Sequence, residues 1–323
     1  MADAPKPVRA GRALHSNSAL VLFVGLAVFV TVFHAPLLRF VEGFSMGWER
    51  SVRLARWHAG LPQIGAPDTA RLAERLAAKD LKLGDAVLFR VFKQESELEL
   101  WMRSGDRFVR FASYPICRWS GQLGPKFREG DRQSPEGFYT VAARQLNPRS
   151  RWHRSFNIGF PNAFDRSHGR TGSFIMVHGG CSSIGCFAVT NDLVDEIWRI
   201  IRAAFAGGQQ RFQVHSFPFR MTPERTARYA NSGYGAARSA SQSPVGPYWR
   251  DLAQGYRVFE ETRAPLAISV CGRRYQIGPG GGPRLATPAL SNGCGPQRIQ
   301  AVPLRRPGAA QRTTQKVAEP ANG

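Results

Sequence analysis

SFIMVHGGCSSIGCFAVTND, residues 173–192, decides how the rest of the chain is read. A short run of apolar-leaning residues, of strand length, ends at His178 and Gly179. Seven residues then separate His178 from Cys186, which closes Ser183-Ile184-Gly185-Cys186 just ahead of a helical pattern. Thiolate is the reactive form of cysteine, and a nearby imidazole takes its proton or holds it as an ion pair. Glycine beside the cysteine permits a sharp turn and leaves backbone N–H groups open to an oxyanion. Three other readings compete on the residues alone. Cys181 and Cys186 form a structural disulfide; or His178, Cys181 and Cys186 hold zinc, with a fourth ligand missing at usual spacing; or His178 is a satisfied strand-end histidine. Spacing does not choose among them.

Upstream, DAVLFRVF, ELELWMR and RFVRFASYPI alternate apolar and polar residues and are broken by QES and SGD, a pattern of short antiparallel strands. GFYTVAARQL, FNIGF and SFIMVHG read as further strands, and NDLVDEIWRIIRAAF as a helix capped by Thr190 or Asn191. RFQVHSF is another strand, YWRDLAQGYRVFEET a helix, and residues 265–277 one final strand. The body from 84 to 277 is therefore a β-rich α+β domain with flanking helices. Residues 39–83 read as a helical stalk, linker or outer packing helix, with Asp68 capping TARLAERLAAK and Leu72, Ala73 and Leu76 on one face. Residues 278–323 form a Pro/Gly-rich basic tail expected to be disordered.

At the other end, Lys6, Arg9 and Arg12 in a basic segment, 1–18, precede an uncharged apolar run that extends over 19–38. Its length suits a bilayer-crossing helix, and the order of basic then apolar residues fits a signal sequence. No clean small-x-small cleavage site follows, which favours an uncleaved anchor over a cleaved signal. The expected location is the inner membrane with the body in the periplasm, or the periplasm itself if the segment is cleaved.

The chain has 323 residues, 44 basic against 23 acidic, and a formal charge of +21, with only six lysines. That balance favours a polyanionic surface or polymer. No zinc-finger spacing or RNA-binding aromatic signature accompanies it, so nucleic acid is not the expected partner. The apolar and aromatic content excludes a wholly disordered chain. Five cysteines, an odd number, leave at least one thiol unpaired in a monomer. Cys117 is expected to be buried or paired, and Cys271 with Cys294 is a candidate pair.

Three longer segments carry a resemblance: 115–141 (PICRWSGQLGPKFREGDRQSPEGFYTV), 146–189 (LNPRSRWHRSFNIGFPNAFDRSHGRTGSFIMVHGGCSSIGCFAV) and 217–222 (FPFRMT). With YWRDLAQGYRVFEET they resemble the YkuD-type L,D-transpeptidase family in its YafK branch. The resemblance implies a β-rich domain whose cysteine attacks the bond after meso-diaminopimelate in a peptidoglycan stem peptide, forming a thioester that an amine or water resolves. It implies Cys186 as nucleophile, His178 as general base, and the Gly179 carbonyl as the group orienting the imidazole. Gly185 and Cys186 N–H groups would form the oxyanion hole, and Ser183 matches the serine of the S-x-G-C motif, with a plain turn role as its alternative. Most of the wider family has histidine where this chain has Ile184, and arginine where it has Ala188.

Arg170 is a candidate to bind the free carboxylate of diaminopimelate through its planar fork, with Asp165 pairing it or holding the loop. His168 is a rival base. Neither cofactor nor metal is expected. The implied partners are stem peptides and the inner membrane, with a wall-attached lipoprotein as a further candidate. A non-catalytic peptidoglycan-binding scaffold of the same fold, or a redox protein using Cys181 and Cys186, is the alternative.

Overall fold

The computed structural model describes residues 44–231, 245–280, 291–292 and 294. The expected basic segment, the apolar span at 19–38 and most of the expected tail lie outside these residues. Among the described residues, no helix is long and apolar enough to cross a membrane.

A helix over 44–58 (α1) opens the described chain. The helical pattern expected through residue 83 is then interrupted. Asp68 accepts from the Ala70 N–H and caps a single 3-10 turn, after which α2 runs only from Leu72 to Ala77. Leu72 and Leu76 face the core, but Ala73 is exposed, which corrects its expected placement. Leu72, Leu76 and Leu81 join the common core, so this segment packs on the body.

The alternating stretches become β1 (Val87–Phe92), β2 (Glu97–Ser104) and β3 (Arg107–Pro115), antiparallel neighbours as expected. There follow β4 (Arg118–Trp119), β5 (Gly137–Ala142), β6 (Leu146–Ser150), β7 (His153–Asn157), α3 (Ala163–Ser167), β8 (Met176–His178) and β9 (Phe187–Ala188). The remaining elements are α4 (Asn191–Ala206), β10 (Arg211–Phe217), α5 (Pro223–Asn231), α6 (Val245–Thr262), β11 (Leu266–Cys271), β12 (Arg274–Pro279) and β13 (Ser291–Asn292).

Two five-stranded sheets, β3-β2-β1-β10-β5 and β4-β9-β8-β7-β6, form the body, with a small β12-β11-β13 sheet beside α6. In the first sheet β1 is buried along its whole length, which explains why its apolar run is nearly continuous. Phe89 on β1, Phe156 on β7 and Phe212 on β10 stand 5.3–5.6 Å apart between ring centroids. Their mutual packing ties the first sheet to the second. Along α4, Leu193, Val194, Ile197, Ile200, Ile201 and Ala204 recur at helical spacing and are buried against the sheets. Thr190 holds its N-cap position without a side-chain bond.

Three expectations are corrected. Residues 173–179 do not form one strand; Phe174 has φ +53, which breaks the extended run, and only Met176–His178 pairs. Cys186 is followed by the short strand β9 before α4 begins. Residues 265–277 are two strands, turned at Gly272 (φ +55) and Arg273 (φ +63), the positive-φ pair of a tight hairpin.

Candidate active site

β8 and β9 are parallel neighbours, with Val177 opposite Phe187 and His178 opposite Ala188. Cys186 therefore sits one residue before the ladder, and side chains two apart along a strand share a face. The strand spacing and rise give about 8 Å between the α-carbons of His178 and Cys186 on that face. The Met176 N–H donates to Cys186 Sγ (3.4 Å), and the sulfur approaches the Phe174 carbonyl at 3.6 Å. Among the described residues no hydrogen bond joins the His178 ring to this sulfur.

His178 is buried at the end of β8, and its Nδ1 lies 2.6 Å from the Gly179 carbonyl oxygen. A carbonyl only accepts, so Nδ1 carries the proton and Nε2 of the neutral ring has its lone pair free. Burial lowers the ring's pKa, against the raising influence of the Gly179 carbonyl. Trp152, partly exposed, stacks on the ring at 6.0 Å between centroids. Burial pushes the Cys186 thiol up, while the Met176 N–H and the Lys126 charge work the other way. Both shifts favour a neutral thiol–imidazole pair at rest.

The turn carrying Cys186 is held by hydroxyls. Ser183 Oγ donates to the Cys186 carbonyl (2.8 Å) and accepts from the Gly185 N–H (3.1 Å). Ser134 Oγ donates to the same carbonyl (3.1 Å), and Ser120 Oγ donates to the Ser183 carbonyl (2.8 Å). Gly185 has φ +151, a conformation L side chains rarely adopt, and a Cβ there would meet Ile175 Cδ1 at 3.3 Å. Of the two amides expected to face an oxyanion, that of Gly185 is thus engaged. No bond to the Cys186 N–H occurs among the described residues. Ser120 and Ser134 were not singled out from sequence; both lie within the 115–141 segment that carries the resemblance.

A disulfide joins Cys117 to Cys181, and another joins Cys271 to Cys294, leaving Cys186 as a free thiol. The Cys181–Cys186 disulfide and the zinc reading through Cys181 are both overturned, because the Cys181 sulfur is spent on Cys117. That bond instead pins the loop that follows His178 to the start of β4.

Arg170 is turned inward. Its Nη1 lies 2.8 Å from Asp165 Oδ1, with the guanidinium over the Tyr248 ring at 4.8 Å. Asp165 is fully buried; it also accepts from the Asn162 N–H and the Tyr139 hydroxyl, completing the N-terminal cap of α3. Arg170, expected to meet a substrate carboxylate, is in this structure turned onto Asp165, which pairs with it and holds the loop. His168, the rival base, stacks on Phe164 at 4.2 Å, and its Nδ1 lies 2.9 Å from the Phe164 carbonyl.

Beneath the turn lies a buried ion pair. Lys93 Nζ meets Glu136 at 3.0 Å and donates to the Gly124 and Ser134 carbonyls. Glu136 accepts also from the Trp249 indole and the Gly124 N–H. The pair anchors the loop that delivers Ser134 to the Cys186 carbonyl.

A free thiol and a tautomer-fixed histidine thus stand at neighbouring strands of a two-sheet α+β frame. The model of the L,D-transpeptidase catalytic domain, YkuD, matches residues 91–248. The chain belongs to that family. Within it, the chain is 43% identical over 199 residues to "Putative L,D-transpeptidase YafK" of Escherichia coli K12, covering 62% of this chain and 76% of that protein. The equivalent protein of strain O157:H7 matches equally. Among solved structures, the helical cell shape determining protein Pgp2 of Campylobacter jejuni matches with a TM-score of 0.34 and 15% identity, over 62% of this chain and 81% of that one. A variant of Pgp2 gives 0.35 and 18%, over 52% and 63%.

Proposed function

We propose that this domain is a cysteine-dependent L,D-transpeptidase, or the related hydrolase, acting on meso-diaminopimelate-containing stem peptides of peptidoglycan. The observation that carries the reading is the free Cys186 thiol, one strand away from an imidazole whose Nδ1 proton is held by the Gly179 carbonyl. In the proposed cycle a rotation about the Cys186 Cα–Cβ bond brings the sulfur to His178 Nε2, which takes its proton. Such catalytic hydrogen bonds commonly tighten only in the substrate complex. The thiolate attacks the carbonyl carbon that follows the diaminopimelate centre, and the Cys186 N–H stabilises the oxyanion. Gly185 joins it once Ser183 releases its amide. The imidazolium then protonates the departing amine, leaving a thioester. An acceptor amine or water attacks that thioester, passing its proton to His178, and the product acyl bond forms as the thiol is restored.

We further propose that the body works outside the cytoplasm, tethered through the 19–38 segment. Two disulfides support an oxidising compartment. The strong positive charge suits anionic wall or membrane surfaces.

The test is incubation with purified muropeptides, with and without an acceptor amine, followed by product mass. The wild-type chain is expected to release the terminal residue and incorporate water or the amine. Cys186→Ala is expected to lose this activity on muropeptides and on isolated sacculi, whereas Cys181→Ala should retain some turnover. No product from the wild-type chain above a protein-free control would leave only a non-catalytic scaffold, and equal turnover by Cys186→Ala would exclude Cys186 as the nucleophile.

A further inference from the structure

A cavity of about 540 Å³ opens on the first sheet, between β1–β3 and α6, away from the β8–β9 pair. Five arginines line it: Arg90, Arg107, Arg110, Arg220 and Arg263. Only two carboxylates, Glu99 and Glu260, stand among its lining residues. Arg90 is wholly buried, with Nη1 at 2.6 Å from Glu260 and 3.8 Å from Glu99. Its Nε and Nη2 are buried without a hydrogen-bond partner, and the guanidinium lies 4.6 Å from the Tyr256 ring centroid and 4.7 Å from that of Phe259.

Both carboxylates are oversubscribed. Glu99 also takes bonds from Arg110 (3.0 Å), Arg220 (2.8 Å) and the Trp101 indole (2.9 Å). Glu260 is shared with Arg263 at 2.5 Å. Burial by itself would raise the Glu99 carboxyl, yet Arg90 and Arg220 outweigh it and hold it below its ordinary value. Arg220 is also paired with Glu97, so five guanidiniums stand against three carboxylates at the cavity. Arg107 is exposed at its rim and has no carboxylate partner among the described residues.

We infer that this cavity is a binding site for a phosphate-class oxyanion, either free or carried as a lipid headgroup. Guanidinium forks match phosphate oxygens through paired N–H donors. Trp101, Tyr256 and Phe259 pack around the Arg90 guanidinium, so its charge is screened less than one on open surface. An entering oxyanion balances the excess charge, met first by Arg107 at the rim. Nothing in this inference depends on the chemistry of Cys186.

The test is calorimetric titration of the full chain, held in a neutral detergent, with inorganic pyrophosphate and separately with dihexanoyl phosphatidylglycerol below its micelle concentration. Saturable binding of at least one is expected, weakened at least tenfold by Arg107→Glu and by Arg110→Glu, and weakening as salt rises. Pyrophosphate alone binding identifies a free anion; the lipid alone binding identifies a headgroup. Arg107→Glu breaks no side-chain hydrogen bond or ion pair among the described residues, so its melting temperature should match wild type and its binding result stands by itself. No saturable binding of either probe, or binding that Arg107→Glu leaves unchanged, overturns the inference.

Discussion

The sheet that carries Phe89 and the sheet that carries Cys186 are built by different means. In the first, β1, β2 and β3 pair over long registers and bury apolar side chains throughout. In the second, β4 and β9 have two residues each and β8 has three, too few for ladder bonds alone to fix a geometry. Its shape comes from point contacts: the Ser183, Ser134 and Ser120 hydroxyls, the Cys117–Cys181 bond, Gly185 at positive φ, and the Lys93–Glu136 pair below. The contrast teaches where each kind of damage will register. A defect in the first sheet spreads through the core, whereas one in the second moves a few atoms around Cys186 and His178.

The largest effect should come where the two constructions meet. Lys93→Met leaves Glu136 buried without its counter-charge, an error that costs about 3–5 kcal/mol. Denaturant unfolding should show that loss, and Lys93→Met paired with Glu136→Gln should recover part of it. Next, Cys117→Ser with Cys181→Ser removes a crosslink spanning 64 residues, worth about 2–4 kcal/mol. Because the bond pins the loop after His178, activity at a temperature where the variant stays folded should fall as well. Gly185→Ala forces a side chain into a conformation that costs about 1–3 kcal/mol. Circular dichroism should still report a folded domain, while turnover on muropeptides falls at least tenfold. If that change unfolds the chain as thoroughly as Lys93→Met, the contrast between the sheets is lost.

The smallest effect is one of pH. Burial lowers His178 and His215, the latter well below its ordinary value. In each case the unfolded chain binds the proton more readily than the folded one. Their contribution to stability is present above about pH 6.5 and is lost as pH falls below it. Thermal melts between pH 7 and pH 5 should show the decline, and His215→Gln should reduce its slope.

Legibility in the sequence follows the same division. The strands of the first sheet announce themselves by alternation, and α4 by its helical spacing. The short elements β4, β6 and β9 carry too few residues for any period, and α3 covers barely more than one turn. The candidate site at the second sheet was legible as a motif, since histidine, glycine and cysteine lie within one short segment. What the motif did not reveal depends on distant chain. Gly185 is engaged by Ser183, Ser134 comes from another loop, and Arg170 is drawn inward by Asp165 and Tyr248. A charged residue in a glycine-containing loop looks exposed until its partners are assembled.

The proposed role of Cys186 is tested most directly by intact-protein mass after rapid mixing with a tetrapeptide muropeptide and acid quenching. The account predicts a transient adduct of the acyl portion mapped to Cys186, absent in Cys186→Ala and formed far more slowly in His178→Gln. An adduct on another residue, or undiminished turnover in Cys186→Ala, would contradict it.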